Sequence, residues 1–404
     1  MNTFHPGELP RRGAYVPALD GVRGLAIVMV MLAHFTSYGG LRPAMVLERA
    51  YRNVVMLGGT GVDLFFVLSG FLITGILLDS RHEAGYFRNF YMRRVLRIFP
   101  LYYATLAACF FVLPLLRGGD EDLARLLSEQ GWYWTYLANV RMALDGWPAF
   151  HSIGHFWSLA VEEQFYMVWP LAVFAVGGRR LRILCVMVIL GSLLARVAFW
   201  QAGYLPRINV LTLARMDALA AGAFLAVAAR RPGGLQAWAR RARPVALVTG
   251  TSLVLLLIWS GGWVPQLPVY RTVGRSLLAG LFAAVLILAV AAPPASRLGR
   301  FFSSRILRFF GVYSYGLYVF HHFVIIFLGR AGLSVNLVPA VFGSRLPGQI
   351  MVIAVAGTVS LALAWVSYHT FEKPFLSLKR AFRSRPAAAE IEAREGKTPA
   401  RESR

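Results

Sequence analysis

The sequence predicts an all-α polytopic membrane protein, a bundle of about ten transmembrane helices with both termini cytoplasmic. Three observations carry this expectation. Apolar residues make up 57% of the 404-residue chain and charged residues only 15%, which leaves too few polar side chains to coat a soluble globule. The apolar residues gather into runs long enough to cross a hydrocarbon core of about 30 Å, which takes roughly 20 residues of helix. The basic residues alternate from loop to loop: 28 of the 42 Lys and Arg fall in one set of alternating loops and termini and 10 in the other set. Cytoplasmic loops carry the excess of Lys and Arg, so the richer set, which includes both termini, is the cytoplasmic one.

The runs lie at about 18–38, 57–78, 98–116, 156–176, 183–202, 210–229, 244–260, 272–291, 309–328 and 349–371. The first, "GVRGLAIVMVMLAHF", is too long and too interrupted by Arg23 to be a cleaved signal, and no small-residue cleavage site follows it. The second, "GGTGVDLFFVLSGFLITGILL", spaces its glycines for close helix contact. The third opens on the arginines of "FYMRRVLRIFPLYY". Before the fourth comes a long loop, about 117–155, in which "GGDEDLARLLSEQGWYWTYLANV" reads as a short amphipathic helix followed by an interfacial aromatic segment. The fourth begins with "HFWSLAVEEQFYMVWP". Basic loops, "GGRRLR" and "RRPGGLQAWARRARP", precede the fifth and seventh, and the sixth contains "RMDALAAG". The ninth contains "VYSYGLYVFHHF" and the tenth ends in "SYHTFEKPF". Residues 1–378 therefore form one transmembrane domain, and 379–404 a basic, disordered cytoplasmic tail. With no soluble domain in sight, any chemistry belongs to the membrane module.

A formal charge of +23 invites a nucleic-acid reading, but a nucleic-acid surface concentrates charge on one domain with interleaved aromatics. Here the charge recurs at alternate loops, so nucleic acid is not an expected partner and the bilayer is. The two cysteines, Cys109 and Cys185, each sit in an apolar run and make neither a disulfide framework nor a metal motif. His151 and His155 have a metal-like spacing, but Gly154 interrupts a helix there and no third ligand is evident, so no metal is expected.

Ionisable residues inside the spans carry the functional signal, because they are costly in hydrocarbon. Arg23 and His34 are eleven residues apart, which on an α-helix returns to nearly the same face about 16 Å further along. Either alone has an ordinary explanation, snorkelling or capping; a shared stripe at two depths points to a lined passage. Asp63 and Ser69 lie in the second span, and Glu162 beside Glu163 in the fourth. Adjacent carboxylates point about 100° apart, so one of the pair faces the interior. Arg215 and Asp217, two apart on the sixth span, cannot face each other and each needs another partner. His321 and His322 lie in the middle of the ninth span. Arg93, Arg94 and Arg97 mark the cytoplasmic edge of the third, and Arg94 and Arg97, one turn apart, suit clamping an anion. A histidine near carboxylates suits general-base work at neutral pH, and an inner cationic mouth suits a phosphorylated donor.

These motifs resemble those of the membrane acyltransferase-3 family, from about Ala18 to Leu378. "LDGVRGLAIVMVMLAHF" resembles its Arg-x10-His signature and "GVDLFFVLSGFLIT" its second-helix block. "YMRRVLRIFPLYY" carries its Arg-x-x-Arg pair. "HFWSLAVEEQFY", "RMDALAAG", "YSYGLYVFHH" and "SYHTFEKPF" follow in the family's order. The resemblance implies an inner-membrane O-acyltransferase that takes an acyl group, commonly acetyl, from acyl-CoA to a hydroxyl of an envelope carbohydrate. It makes Arg23 and His34 the prime catalytic residues. Asp63 or Glu162 would orient the imidazole, and Arg93, Arg94, Arg97 and Ser69 would lie on the donor. Arg215, Asp217, His321 and Glu372 complete the expected polar interior. Arg23 would either anchor the donor or stabilise developing negative charge, and His34 would act as general base or carry the acyl group. Some relatives append a soluble hydrolase-like domain; this sequence resembles the stand-alone members. Two rival readings use the same residues otherwise: transfer to a small lipophilic or lipid-linked acceptor, and a transporter whose buried ions mark its path.

Overall fold

The computed structural model describes residues 15–117, 121–148, 151–204, 209–260 and 267–382. Each of the ten apolar runs becomes a helix: α1 Pro17–Tyr38, α2 Gly61–Ser80, α3 Tyr86–Ala107, α4 Phe156–Ala175, α5 Gly178–Gln201, α6 Thr212–Ala229, α7 Gly234–Trp259, α8 Arg275–Ala291, α9 Ser314–Arg330 and α10 Leu346–Ser367. Among the described residues there is no β-strand, only an isolated bridge between Val341 and Ser344. Among the described residues, eight helical stretches are long and apolar enough to cross a membrane. The short helix Arg305–Val312 and α9 form a ninth only when taken as one span bent by 76°. The 20-residue α4 is diluted by Glu162, Glu163 and Gln164; both carboxylates, and not one of them as expected, turn inward, Glu163 buried and Glu162 lining a cavity. Of the tail expected from 379, Lys379–Phe382 forms a 3₁₀ turn and the rest lies outside the described residues.

Local chemistry explains where the helices stop and how closely they pack. Proline in the first turn of α1 presets the helical φ, and Gly40, at φ +85°, takes the left-handed turn that follows the helix. The glycines of α2 serve the close contact expected of them. A Cβ on Gly70 would lie 1.9 Å from the Leu219 carbonyl oxygen, and one on Gly222 of α6 would lie 1.9 Å from that of Val67. The two backbones therefore touch, and no side chain fits between them. Gly222→Val should cost on the order of 3 kcal/mol by overpacking and deplete the folded protein on size exclusion in detergent. A wild-type melting curve for that variant would contradict the contact.

Buried ion pairs tie the same region together. Asp63 of α2 accepts from Arg215 of α6 at 2.8 Å and from Arg275 of α8 at 3.0 Å. Asp217 of α6 accepts from Arg196 of α5 at 2.7 Å and from Ser276 of α8 at 3.1 Å. Arg215 and Asp217 thus find separate partners on different helices, as their spacing required. The long loop holds helix Glu121–Ser128, as expected of its amphipathic stretch. Its aromatic segment docks on α3: Tyr102 stacks on Tyr136 with centroids 4.3 Å apart, and the Tyr102 hydroxyl donates to the Tyr133 carbonyl at 2.7 Å.

Candidate active site

α1 is unbroken from Pro17 to Tyr38, so Arg23 and His34 sit on one stripe about 16 Å apart along its axis. Each lines a cavity walled by protein. The first cavity is an arginine chamber, lined by Arg23 of α1, Ser69 of α2, Arg94 and Arg97 of α3, and Glu162 and Tyr166 of α4. The second is a histidine chamber, where His34 meets His155 at the N-cap of α4, His322 of α9, and the aromatic rings of Tyr38, Trp147 and Trp157. Val62, Ser158 and Tyr318 line both. At that shared wall Ser158 Oγ and the Tyr318 hydroxyl are 2.9 Å apart, and the same hydroxyl donates to the His155 carbonyl. The two chambers therefore abut across this hydrogen-bonded wall, the neck between them.

The arginine chamber carries an excess of positive charge. Arg23 pairs with Asp20 at 2.7 Å. Arg94 packs its guanidinium over the Tyr166 ring, 5.9 Å from the centroid, and its Nε is buried without a hydrogen-bond partner. Arg97 forms no hydrogen bond or ion pair with the described residues. The only carboxylate on the wall, Glu162, accepts from Ser69 Oγ at 2.7 Å, and Ser69 in turn accepts from Tyr166 at 3.1 Å. Three guanidiniums, met by Asp20 on Arg23 and by Glu162 on the wall, leave an excess of positive charge that suits a multiply charged anion such as a phosphate ester. Lys379, in the 3₁₀ turn, lies within electrostatic reach of Arg94 and Arg97.

The histidine chamber holds a base without a carboxylate partner. His34 Nδ1 lies 2.8 Å from His321 Nε2, and His321 Nδ1 lies 2.9 Å and 2.8 Å from the carbonyl oxygens of Leu317 and Tyr318. His322 sits edge-on to His34, with centroids 4.9 Å apart. The expectation that Asp63 or Glu162 orients this imidazole is corrected here. Asp63 is held by Arg215 and Arg275 in the ion-pair cluster, and Glu162 by Ser69 in the other chamber. Arg23, a full 16 Å from His34 along the helix by its rise, is also too far to stabilise charge developing beside it. Arg93 lines a small pocket with Tyr86 and Asn89 and does not line the Arg23 chamber, whereas Arg94 lines both. Glu372 ends a π-helical turn, accepts from Ser367 at 3.1 Å, and lines neither chamber. Among the described residues no group of His, Cys, Asp or Glu could hold a metal ion.

Sequence reasoning passed over Ser158, Tyr166, Tyr318 and Lys379. The first two carried a signal: His155, Ser158, Glu162 and Tyr166 fall at steps of three, four and four, one polar stripe along α4. Tyr318 lies three residues before His321, on the same side of α9.

The fold and site define a class: a polytopic helical membrane protein with a cationic chamber and a histidine chamber meeting inside the bundle. The chain belongs to the acyltransferase-3 family, whose sequence profile, described as an acyltransferase domain, matches residues 16–369. It is similar to peptidoglycan O-acetyltransferase OatA of Listeria monocytogenes, with 30% identity over 329 residues, covering 77% of this chain and 49% of the relative. It is also similar to O-acetyltransferase OatA of Staphylococcus aureus, with 25% identity over 381 residues, covering 89% of this chain and 57% of the relative. The chain thus spans about half the length of the curated relatives it matches. No solved structure matches it.

Proposed function

We propose that the chain is an integral inner-membrane O-acyltransferase that moves an acyl group, acetyl first among candidates, from cytoplasmic acyl-CoA to a hydroxyl of an envelope carbohydrate. The single observation that carries this reading is the placement of Arg23 and His34, by one straight helix, in two chambers that share a wall. The names of its relatives make peptidoglycan the first acceptor to try. The loops richest in Lys and Arg flank the end of the bundle at which α1 and α3 begin, the end nearer Arg23 and Arg94, and in this reading that end faces the cytoplasm.

In this reading the CoA phosphates rest on Arg94, Arg97 and Arg23, and the pantetheine arm runs to the neck at Val62, Ser158 and Tyr318. The acceptor enters from the histidine chamber. His34 takes the proton of its hydroxyl as the oxygen attacks the thioester carbonyl. The carbon–sulfur bond then breaks, and the departing CoA thiolate takes the proton back from His34. Atoms and charge balance without a metal or redox partner. Asp63, Arg215, Arg196 and Asp217 hold the helices that frame this path.

The test is CoA release from labelled acetyl-CoA by protein reconstituted in vesicles, with and without a muropeptide acceptor. Acceptor-dependent release supports the reading; a transporter releases no CoA. Within it, Arg97→Gln should raise the KM for acetyl-CoA by about 10-fold or more, the cost of one charge-assisted contact, with kcat little changed because that contact is the same in ground and transition states. An unchanged donor KM would remove Arg97 from the donor site.

A further inference from the structure

We propose that His321 is a positioning residue: it fixes His34 in the tautomer that leaves Nε2 unprotonated and facing the acceptor chamber. This rests on the acyltransferase reading above and adds a residue to it.

The assignment follows from which atoms can only accept. Carbonyl oxygens have no proton to give, and His321 Nδ1 lies 2.8–2.9 Å from two of them, those of Tyr318 and Leu317 on its own helix. Nδ1 of His321 therefore carries the hydrogen. His321 is fully buried, and in its neutral form the proton on Nδ1 leaves Nε2 bare. That bare nitrogen is 2.8 Å from His34 Nδ1, so His34 Nδ1 carries the next hydrogen and donates it. Neutral His34 then has its lone pair on Nε2, which no described residue hydrogen-bonds. The opposite arrangement would set a bare His321 Nδ1 against two carbonyl oxygens, lone pair to lone pair.

Among the described residues no charged group hydrogen-bonds either ring of the pair. The rings packed around the pair are His322 and Tyr318 on α9, Tyr38 and Phe35 on α1, and His155 at the N-cap of α4, which touches His321 and His322. The two nearby carboxylates are bonded elsewhere. In acyl transfer, the proton taken by His34 Nε2 makes an imidazolium whose Nδ1–H already points at an acceptor, so its charge meets a prepared dipole. His321 thus does for His34 what a carboxylate or carbonyl does for other catalytic or metal-binding imidazoles, orienting the ring by accepting its second hydrogen.

The test compares three variants with wild type and His34→Ala in acetyl-CoA turnover by reconstituted protein. His321→Leu should lower kcat about 100-fold, the effect typical of losing such an orienting partner, with the KM for acetyl-CoA unchanged. His321→Gln can bring its Oε1 to the place of Nε2 and accept the same hydrogen, so it should stay within about 10-fold of wild type. His321→Asn reaches only the place of Nδ1 and should behave like Leu; it replaces Leu in the comparison should Leu fail to fold, with elution in detergent and melting temperature as the check. Rescue by Gln over Asn is the readout that a merely structural role would not give. Equal loss in Gln and Asn, or full activity in Leu, overturns the proposal. Should wild type release no CoA, or His34→Ala match it, the acyltransferase reading itself fails, which is a distinguishable result.

Discussion

His34→Ala should slow acyl transfer by about 10³-fold, the loss of a general base, while the protein inserts, elutes and melts as wild type does. The imidazole is only half-buried, in a chamber that has room for water beside it. Its removal leaves His321 Nε2 facing space that solvent can fill, which is a small stability cost. Initial rates of CoA release, measured beside a melting curve, separate the two effects. A variant that keeps its rate removes His34 from the chemistry.

Asp63→Ala should do the reverse and deplete the folded protein. Asp63 is 2% exposed and Arg215 is 1% exposed, and Asp63 is hydrogen-bonded by both Arg215 and Arg275. Removing one member of a buried ion pair leaves an uncompensated charge, at a cost of about 3–5 kcal/mol. Two guanidiniums would then face each other across an apolar side chain. Yield on size exclusion and the melting temperature report the loss. If Asp63→Ala instead melted as wild type and lost only kcat, the carboxylate would return to the chemistry that its sequence position first suggested.

The contrast between these two residues shows what could be read from the sequence. Helical periodicity is local, so the stripe joining Arg23 to His34 was legible, as were the ten helices, the close-packing glycines and the need of Arg215 and Asp217 for separate partners. Pairing across the bundle is not local. His34 and His321 are 287 positions apart, and Asp63 and Arg215 are 152 apart; no spacing rule says that an imidazole, and not a carboxylate, will reach His34. A buried Asp near a histidine span looks the same in sequence whether it serves a base or a guanidinium. Arg93 stands apart from Arg94 for a simpler reason: next to it on a helix, it points about 100° away, so it lines the smaller pocket while Arg94 lines both. The polar stripe of α4 was readable in principle. Ser158 gives no signal of its own, because a serine hydroxyl in an apolar helix commonly bonds to its own backbone, and a tyrosine such as Tyr166 reads equally well as an apolar ring.

In the proposed mechanism α1 opens both Arg23 and His34 onto one route through the protein. An experimental structure with a non-hydrolysable thioether analogue of acetyl-CoA tests it most directly. The phosphates should lie against Arg94 and Arg97, the arm should pass Tyr318, and the acyl carbon should stop within about 5 Å of His34 Nε2, leaving space for one hydroxyl between them. An analogue bound elsewhere, or an imidazole of His34 turned toward lipid, would contradict the account.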